Sequence, residues 1–466
     1  MELLLSNILK QLPKEDTSNY RLENYKIFTS LNKTCIVIDD DPTGNQTVYN
    51  IPLLTTWDVN TLSSEFKKGT PTFFLLTNSR SLTEKQSTTL YTQIANNIIE
   101  ASKVTNRDFT LISRSDSTLR GHFSEVNVLK NTLLLQDAIT VVIPVMFEGG
   151  RVTVNDTHYI KHENTLTPVN ETPFSQDHTF GYKHAVLPQW IEEKTQGDVK
   201  ATDVYTVSLE SIRTQNMQAL VEEIKNIHSA SYTIINALNY HDLDKVTQAL
   251  LLAEQQGKSI IYRTSSSFVP SYIGLKPQGL LNTEAIIDKE NTHGGITIVG
   301  SYVPKSSLQL NNALKHFSEE TIIEVDVNKV LGASATNYLN NLSATIDKLI
   351  SNGKDIIVFT SRKLITGSDA NTTINIAGKV SNALVTLVKN LQTRPKYLLA
   401  KGGITSNDLA IKGLGMKQST VLGQIEPGIP VWEMGAETKF PNLLYIVFPG
   451  NVGNENTLLN ITKKLN

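Results

Sequence analysis

Short apolar runs recur along the chain, and each closes on polar, turn-rich sequence. The first, Cys35-Ile36-Val37-Ile38, runs straight into Asp39-Asp40-Asp41-Pro42-Thr43-Gly44. Runs so short and so continuously apolar predict strands buried on both faces of a parallel sheet. The same pattern predicts strands at 35–39, 73–77, 109–113, 139–143, 232–236 and 259–262. A later series falls at 296–299, 321–325, 356–360, 397–400 and 443–448.

Between the strands, apolar positions repeat three and four apart. Thr83 and Gln86 form a capping box, and the helix it opens carries Leu90, Ile94, Ile98 and Ala101 on one face. Further helices are predicted over the opening thirty residues and over 124–136, 209–228, 335–352 and 370–391. Asp242 can cap another that ends near Gly257. Residues 151–200 lack a regular period and read as loops with short antiparallel strands. Strands alternating with helices mean α/β architecture. The polar stretch over 280–294 closes on the Gly294-Gly295 pair and marks a boundary. Two doubly wound α/β domains with mainly parallel sheets are therefore expected, at 1–285 and 286–466, with an active site in the cleft between them.

Composition narrows the class. A 466-residue chain with 39% hydrophobic and 19% charged residues is ordinary for a globular protein. A net charge of −2 without a basic stripe excludes nucleic acid as an expected partner, and no polybasic segment points to a membrane. There is no apolar run of about 18 residues, so no span is expected. The opening apolar run is too short for a signal peptide. The one cysteine, Cys35, sits inside an apolar strand and reads as a buried structural thiol. A reducing, cytoplasmic setting is expected. The oligomeric state is left open, a homo-oligomer included.

Three adjacent carboxylates repel one another. A fold keeps them only if a cation meets them or one takes a proton in a reaction. Here they end a strand, where open α/β sheets place ligands. Other strand ends carry Arg80, Asp116, Arg120 and Arg151. Arginine's planar fork suits carboxylate or phosphate, and the hydroxyls of Thr43, Ser79, Ser117 and Thr118 suit a polyol. A small hydroxy acid matches both sets. Any one of these residues could simply hold a loop; their gathering at strand ends argues for a site.

The second domain carries glycine turns after strands: Gly300-Ser301, Lys401-Gly402-Gly403-Ile404-Thr405 and Pro449-Gly450-Asn451-Val452-Gly453. Glycine lets backbone N–H groups approach a phosphate closely. Neither GxxxxGK[ST] nor GxGxxG is present, and a plain tight turn would explain any one. Three in one domain favour a phosphate site. His158 and His162 lie four apart without an acidic third ligand, so no metal site is assigned.

Asp39-x-Asp41-x-Thr43 after a strand resembles the haloacid dehalogenase phosphatases, whose first aspartate takes up a phosphoryl group. That scheme needs a late strand ending in an acidic pair. After 139–143 the chain instead reads Pro-Val-Met-Phe-Glu-Gly-Gly, and the glycine turns stay unexplained.

The motifs together resemble the four-carbon acid sugar kinases, over residues 34 to 460. Asp40-Asp41-Pro42-Thr43-Gly44 resembles that family's DDxTG, Thr77-Asn78-Ser79-Arg80 its TxSR, and Asp116-Ser117-Thr118-Leu119-Arg120-Gly121 its DSTLRG. Pro144 to Arg151 resembles its EAGR segment, and Gly300-Ser301, Gly402-Gly403-Ile404-Thr405 and Gly450-Asn451-Val452-Gly453 its GS, GGET and GNFG turns. The resemblance implies ATP-dependent phosphorylation of a terminal hydroxyl on a four-carbon sugar acid of the threonate, erythronate or 3-oxo-tetronate type, with Mg2+. It implies that Asp40 or Asp41 orients the attacking hydroxyl and takes its proton. Thr43, Ser79, Arg80, Asp116, Ser117, Arg120 and Arg151 would bind the substrate. Ser301, Gly402, Gly403, Ile404, Thr405, Gly450 and Asn451 would hold ATP. Asp39 then only ends its strand. Three departures stand out. Ile404 replaces a glutamate, His122 an asparagine, and Phe448-Pro449 a lysine-serine, for which Lys401 can substitute. A non-catalytic sensor of nucleotide and sugar acid is the alternative.

Overall fold

Every strand predicted from an apolar run forms, to within a residue or two. The computed structural model describes residues 3–362, 365 and 370–465. It divides into two units, Met1–Val48 with Thr56–Pro277 and Tyr49–Thr55 with Gln278–Asn466.

The first unit holds an all-parallel sheet. Its order is Tyr205–Val207, Tyr232–Ile235, Ile139–Ile143, Ile260–Thr264, Phe109–Arg114, Thr34–Asp39, Thr72–Leu76. Its central residues, Cys35 to Ile38 among them, have no exposed surface. Helices cover both faces, as continuous apolar strands require. The Glu84–Thr105 helix starts at the expected capping box and buries Tyr91, Ile94, Ala95, Ile98 and Ala101. Parallel order places all the carboxyl ends along one edge. There Asp39 is in register with Arg114 and with Leu76, and Arg114 with Thr264. A separate antiparallel sheet, Leu3–Leu4, Thr165–Pro168, Thr157–His162, Arg151–Val154, fills part of the region without a regular period. His158 and His162 thus lie on a strand and not a helical face. Roughly 13 Å of strand separates them, and only His158 is buried.

The second unit mixes directions. Ile51–Leu54, Gln418–Glu426, Ile429–Met434 and Leu444–Phe448 run antiparallel to their neighbours. From Leu444–Phe448 the sheet continues in parallel through Tyr397–Lys401, Ile296–Val299, Ile356–Thr360 and Ile322–Val325.

Several features depart from the sequence reading, the Tyr205–Val207 strand and the Val59–Lys67 and Pro304–Leu314 helices among them. The strands at Ile51–Leu54, Gln418–Glu426 and Ile429–Met434 are additional. Gln418–Glu426 does alternate between buried and partly exposed positions, but two of its inward residues are Ser419 and Gly423, which hides the period. The 209–228 helix is two, Leu209–Thr214 and Met217–Asn226, because Asn216 leaves the helix and caps Ala219 N–H. Asp242 is not the cap of its helix. Asn239 is, and Asp242 pairs with Arg213 through two bonds of 2.7 and 2.9 Å. Finally, the units divide at 277/278 and not at 285/286. Leu281 N–H already bonds the Gln424 carbonyl at 2.7 Å, and Ile286 and Ile287 pack into the second core.

Candidate active site

In the first unit, register brings Arg114 beside the aspartates. Its Nη1 donates to Asp39 Oδ1 at 3.1 Å and Asp40 Oδ1 at 3.0 Å, and its Nη2 to Ser266 Oγ at 3.2 Å. Arg80 comes from the turn after Thr72–Leu76, where Asn78 adopts a left-handed conformation and Ser79 is buried. Its guanidinium spans three carboxylates: Asp40 Oδ2 at 3.4 Å, Asp116 Oδ1 at 3.3 Å, and Asp41 in direct contact. The Pro-Thr-Gly turn folds back, so that Thr43 N–H donates to Asp41 Oδ1 at 2.8 Å and its hydroxyl bonds the same oxygen. Gly44 permits this closure: a Cβ there would lie 2.2 Å from Asp39 Oδ1 and 2.5 Å from Arg114 Cζ.

The Asp116–Gly121 loop completes the cluster. Asp116 Oδ2 accepts from Thr118 N–H at 3.2 Å and Arg120 Nε at 3.0 Å. Leu119 is held at φ 66° and Gly121 at φ 104°, and a left-handed leucine is costly enough to need support from its surroundings. Leu119 has that support, being buried in a core cluster. The Ser117 carbonyl faces His158 Nε2 at 2.8 Å. Burial pushes that imidazole down to about 4, so it is neutral. Arg120 and Arg151 both lie over the Phe174 ring. Arg151 also donates to the Gly149 carbonyl, but its Nε is buried without a partner. Among the described residues no carboxylate forms an ion pair with it.

The four carboxylates do not titrate alike. Burial, with repulsion from Asp40 and Asp41, pushes Asp39 up to about 7 against the pull of Arg114. Burial also raises Asp40. For Asp41 burial is outweighed by Arg80, Arg114 and the Thr43 bonds, which hold it low. Arg80 and Arg120 likewise overcome burial and hold Asp116 well below the usual carboxylate range. Environments that push neighbouring carboxyls apart separate a proton acceptor from fixed negative charges. Asp40 Oδ2 is also buried without a hydrogen-bond donor, and the positive φ of Gly121 brings the chain close to that oxygen.

In the second unit three turns converge. Val299 is in register with Lys401, and Lys401 with Phe448. The Ser306 hydroxyl lies 3.0 Å from both Ser301 Oγ and the Gly450 carbonyl. Gly402, at φ 122°, donates its N–H to the Phe448 carbonyl at 2.8 Å. Gly300 must lack a side chain, since a Cβ would meet Thr405 Oγ1 at 2.2 Å. A Cβ on Gly403 would meet nothing within 4 Å. Ile404 is exposed and Thr405 buried. The Asn451 carbonyl accepts from Lys305 Nζ at 3.2 Å. Lys401 is wholly buried. Its Nζ lies 2.9 Å from the Pro449 carbonyl and 3.6 Å above the Phe448 ring. The ammonium therefore reaches the turn where a lysine-serine is expected. Burial, and Lys305 nearby, push it down to about 7.

Residues 35–272 match the sugar-binding N-terminal domain, and residues 296–458 the nucleotide-binding C-terminal domain, of one kinase family. The chain belongs to the four-carbon acid sugar kinase family. The carboxylate–arginine cluster thus falls in the sugar-binding domain, and the converging glycine turns in the nucleotide-binding one. Two solved structures share the fold. A Haemophilus influenzae protein of the DUF1537 family is 16% identical with a TM-score of 0.62, covering 92% of this chain and 99% of its own. A Salmonella typhimurium LT2 protein, provisionally described as a tRNA synthase, is 13% identical with a TM-score of 0.68, covering 93% and 100%. No curated protein matches the chain. Among the described residues no helix is long and apolar enough to cross a membrane.

The structure adds residues that sequence reasoning passed over. Arg114 pairs with the aspartates, and Ser266 accepts from Arg114 and donates to the Gly44 carbonyl at 2.9 Å. Arg263, buried within an apolar strand, donates to Ser115 Oγ at 2.9 Å and packs on Phe123 and Trp190. The available signal was an arginine inside or ending an otherwise apolar run. A magnesium ion needs oxygen ligands that are not already engaged. Asp40, Asp41 and Asp116 are already met by arginine, and no group of three or more metal-ligating side chains forms among the described residues. The described residues therefore offer no ligand set for a resident ion.

Two outcomes follow. Gly44→Ala should destabilise the protein by about 1–3 kcal/mol, because neither the Asp39 carboxylate nor the Arg114 guanidinium paired with it can retreat. Urea unfolding measures this, and a variant as stable as the parent would refute the packing account. Lys401 has a folded value near 7 against about 10.4 unfolded, so between them the unfolded chain binds the extra proton and stability rises with pH. Lys401→Met should lose that rise. Unfolding midpoints of parent and variant that stay parallel from about pH 7 to about pH 10 would contradict it.

Proposed function

We propose that the chain is an ATP-dependent kinase that phosphorylates a terminal hydroxyl of a four-carbon sugar acid. The observation that carries this is the state of Asp40. It is a buried carboxylate with a raised proton affinity and one oxygen that receives no hydrogen bond, only the charge of Arg80 Nε 3.4 Å away. A substrate hydroxyl supplies the missing donor. On attack at the γ-phosphorus, the hydroxyl oxygen forms the new P–O bond, the bond to the ADP oxygen breaks, and the proton passes to Asp40 Oδ2. Asp41 and Asp116, fixed by Arg80, stay ionised and orient the polyol with Thr43, Ser79 and Ser117. Arg151, which has no carboxylate partner, and Arg120 beside it take the substrate carboxylate. Such a transfer depends on positioning and charge stabilisation more than on covalent chemistry.

On the nucleotide side, Ser301, the Gly402-Gly403-Ile404-Thr405 turn, Gly450 and Asn451 hold the phosphates, with Lys401 as the buried cation. One observation favours a second reading, a sensor that binds both ligands without turnover: an exposed Ile404 stands where the family's turn carries a carboxylate.

A coupled ADP-release assay over threonates, erythronates and 3-oxo-tetronates separates the two. Substrate-dependent ADP release is expected; binding of both ligands without release would establish the sensor. Asp40→Asn should lower turnover by about 10²–10⁴-fold with ATP affinity unchanged, and parental turnover would remove Asp40 from the chemistry. Gly403→Val has room in the free protein, so it should keep stability yet weaken ATP binding. Calorimetry showing equal affinity would dismiss the phosphate turn.

A further inference from the structure

One guanidinium in the second unit has two nitrogens without an acceptor among the described residues. Arg362 follows the Ile356–Thr360 strand, the register neighbour of Ile296–Val299. Its Nη2 donates to the Ser301 carbonyl at 2.8 Å and to Ser307 Oγ at 2.6 Å. Its Nε and Nη1 are shut away from solvent with no hydrogen-bond partner among the described residues. Arg362 is half-buried as a residue, and other arginines with shielded nitrogens are treated differently. Arg21 pairs with Asp244 at 2.7 Å, Arg213 with Asp242 at 2.7 Å, and Arg80 and Arg114 with the aspartate cluster. Among the described residues no carboxylate pairs with Arg362. Burial lowers its proton affinity, and no opposite charge offsets that. A buried charge without a counter-ion is costly, and structures keep one only where something else neutralises it.

The surroundings say what that something is. Arg362 holds the carbonyl of Ser301, whose hydroxyl lies 3.0 Å from Ser306 Oγ, itself 3.0 Å from the Gly450 carbonyl. Lys401 Nζ lies 3.5 Å from that same carbonyl. Two cations without a carboxylate between them therefore flank the Ser301–Gly450 turns. A ligand carrying several negative charges fits that pair better than a single carboxylate. We propose that Arg362 is a phosphate-binding residue that, with Lys401, clamps the polyphosphate of the bound nucleotide through its vacant Nε and Nη1 donors. The proposal rests on the nucleotide reading of these turns and adds to it a residue outside every glycine motif.

The test uses the full chain and its Arg362→Gln variant, with ATP, AMP and inorganic tripolyphosphate as calorimetric probes. The variant should bind ATP and tripolyphosphate about 10- to 100-fold more weakly, the scale of lost charge-assisted bonds, and AMP with a smaller loss. Without ligand, it should be as stable to urea as the parent or more so, since an unpaired charge has been removed. A mere strut between Ser301 and Ser307 would instead lower ligand-free stability and leave ATP affinity alone, which overturns the proposal. Equal ATP affinity in parent and variant overturns it too, while leaving the nucleotide reading intact. A parent that binds neither ATP nor tripolyphosphate refutes both. If Arg362→Gln does not fold, Arg362→Met keeps the packing of the stem and carries the same comparison.

Discussion

Three consecutive carboxylates at the end of a fully buried strand cannot all be ionised without cations beside them. That constraint organises the sugar-binding unit. Arg114 meets it from the next strand because parallel register places the two strand ends level. Arg80 meets it from the other side, and its remaining nitrogen ties Asp116 into the same cluster. The neutralisation is uneven by design of the geometry. Two guanidiniums cannot saturate eight carboxylate oxygens, and the oxygens left over belong to Asp39 and Asp40. Those are the carboxyls whose proton affinity rises. Pairing Asp41 and Asp116 tightly therefore leaves the raised proton affinity to Asp39 and Asp40.

The nucleotide-binding unit inverts this pattern. Around its converging turns the buried charges are Lys401 and Arg362, and carbonyl and hydroxyl oxygens are what they touch. Carbonyls solvate a cation but do not neutralise it. The unneutralised charge is thus a property of these turns, and its counterpart in the other unit is the Asp40 oxygen that receives no hydrogen bond.

Much of this was legible along the chain, and what was not has physical causes. Strands buried on both faces announce themselves as continuous apolar runs, and most were found; Ile429–Met434 was not, its run being broken by Pro430 and the exposed Glu433. The Gln418–Glu426 strand was not, because Ser419 and Gly423 occupy inward positions where bulk would have revealed the period. Asn216 broke a helix whose apolar repeat passes smoothly through it, since capping competes with helix continuation only through one side chain. The short Ile51–Leu54 strand joins a unit otherwise built from residues more than 200 positions later, which no local pattern can report. Among site residues, aspartates and glycines clustered in motifs were visible. Arg114 was not, because an arginine closing an apolar run reads as the start of a loop. Its meaning lies in register with Asp39, a relation between strands 75 residues apart.

Register also bears on the departures from the family's motifs. Phe448 and Lys401 are cross-strand partners on adjacent parallel strands, so their side chains leave the sheet at the same level. A cation absent from one strand can be supplied by its neighbour with almost no change in where the charge sits. The structure places the Lys401 ammonium on the Pro449 carbonyl, over the ring of the very residue that stands in the lysine's position. The aromatic face is then not a loss but part of the arrangement, since a ring quadrupole partly stabilises a desolvated ammonium. A phosphate turn is defined by charge in space, and sequence position reports that charge only when the strand that carries it is known. Ile404 has no such relief: it is exposed at its turn, and the residues after it, Thr405 to Asp408, are turned into the core. The missing cation can be restored from a neighbouring strand, whereas the missing carboxylate has no substitute in the same turn.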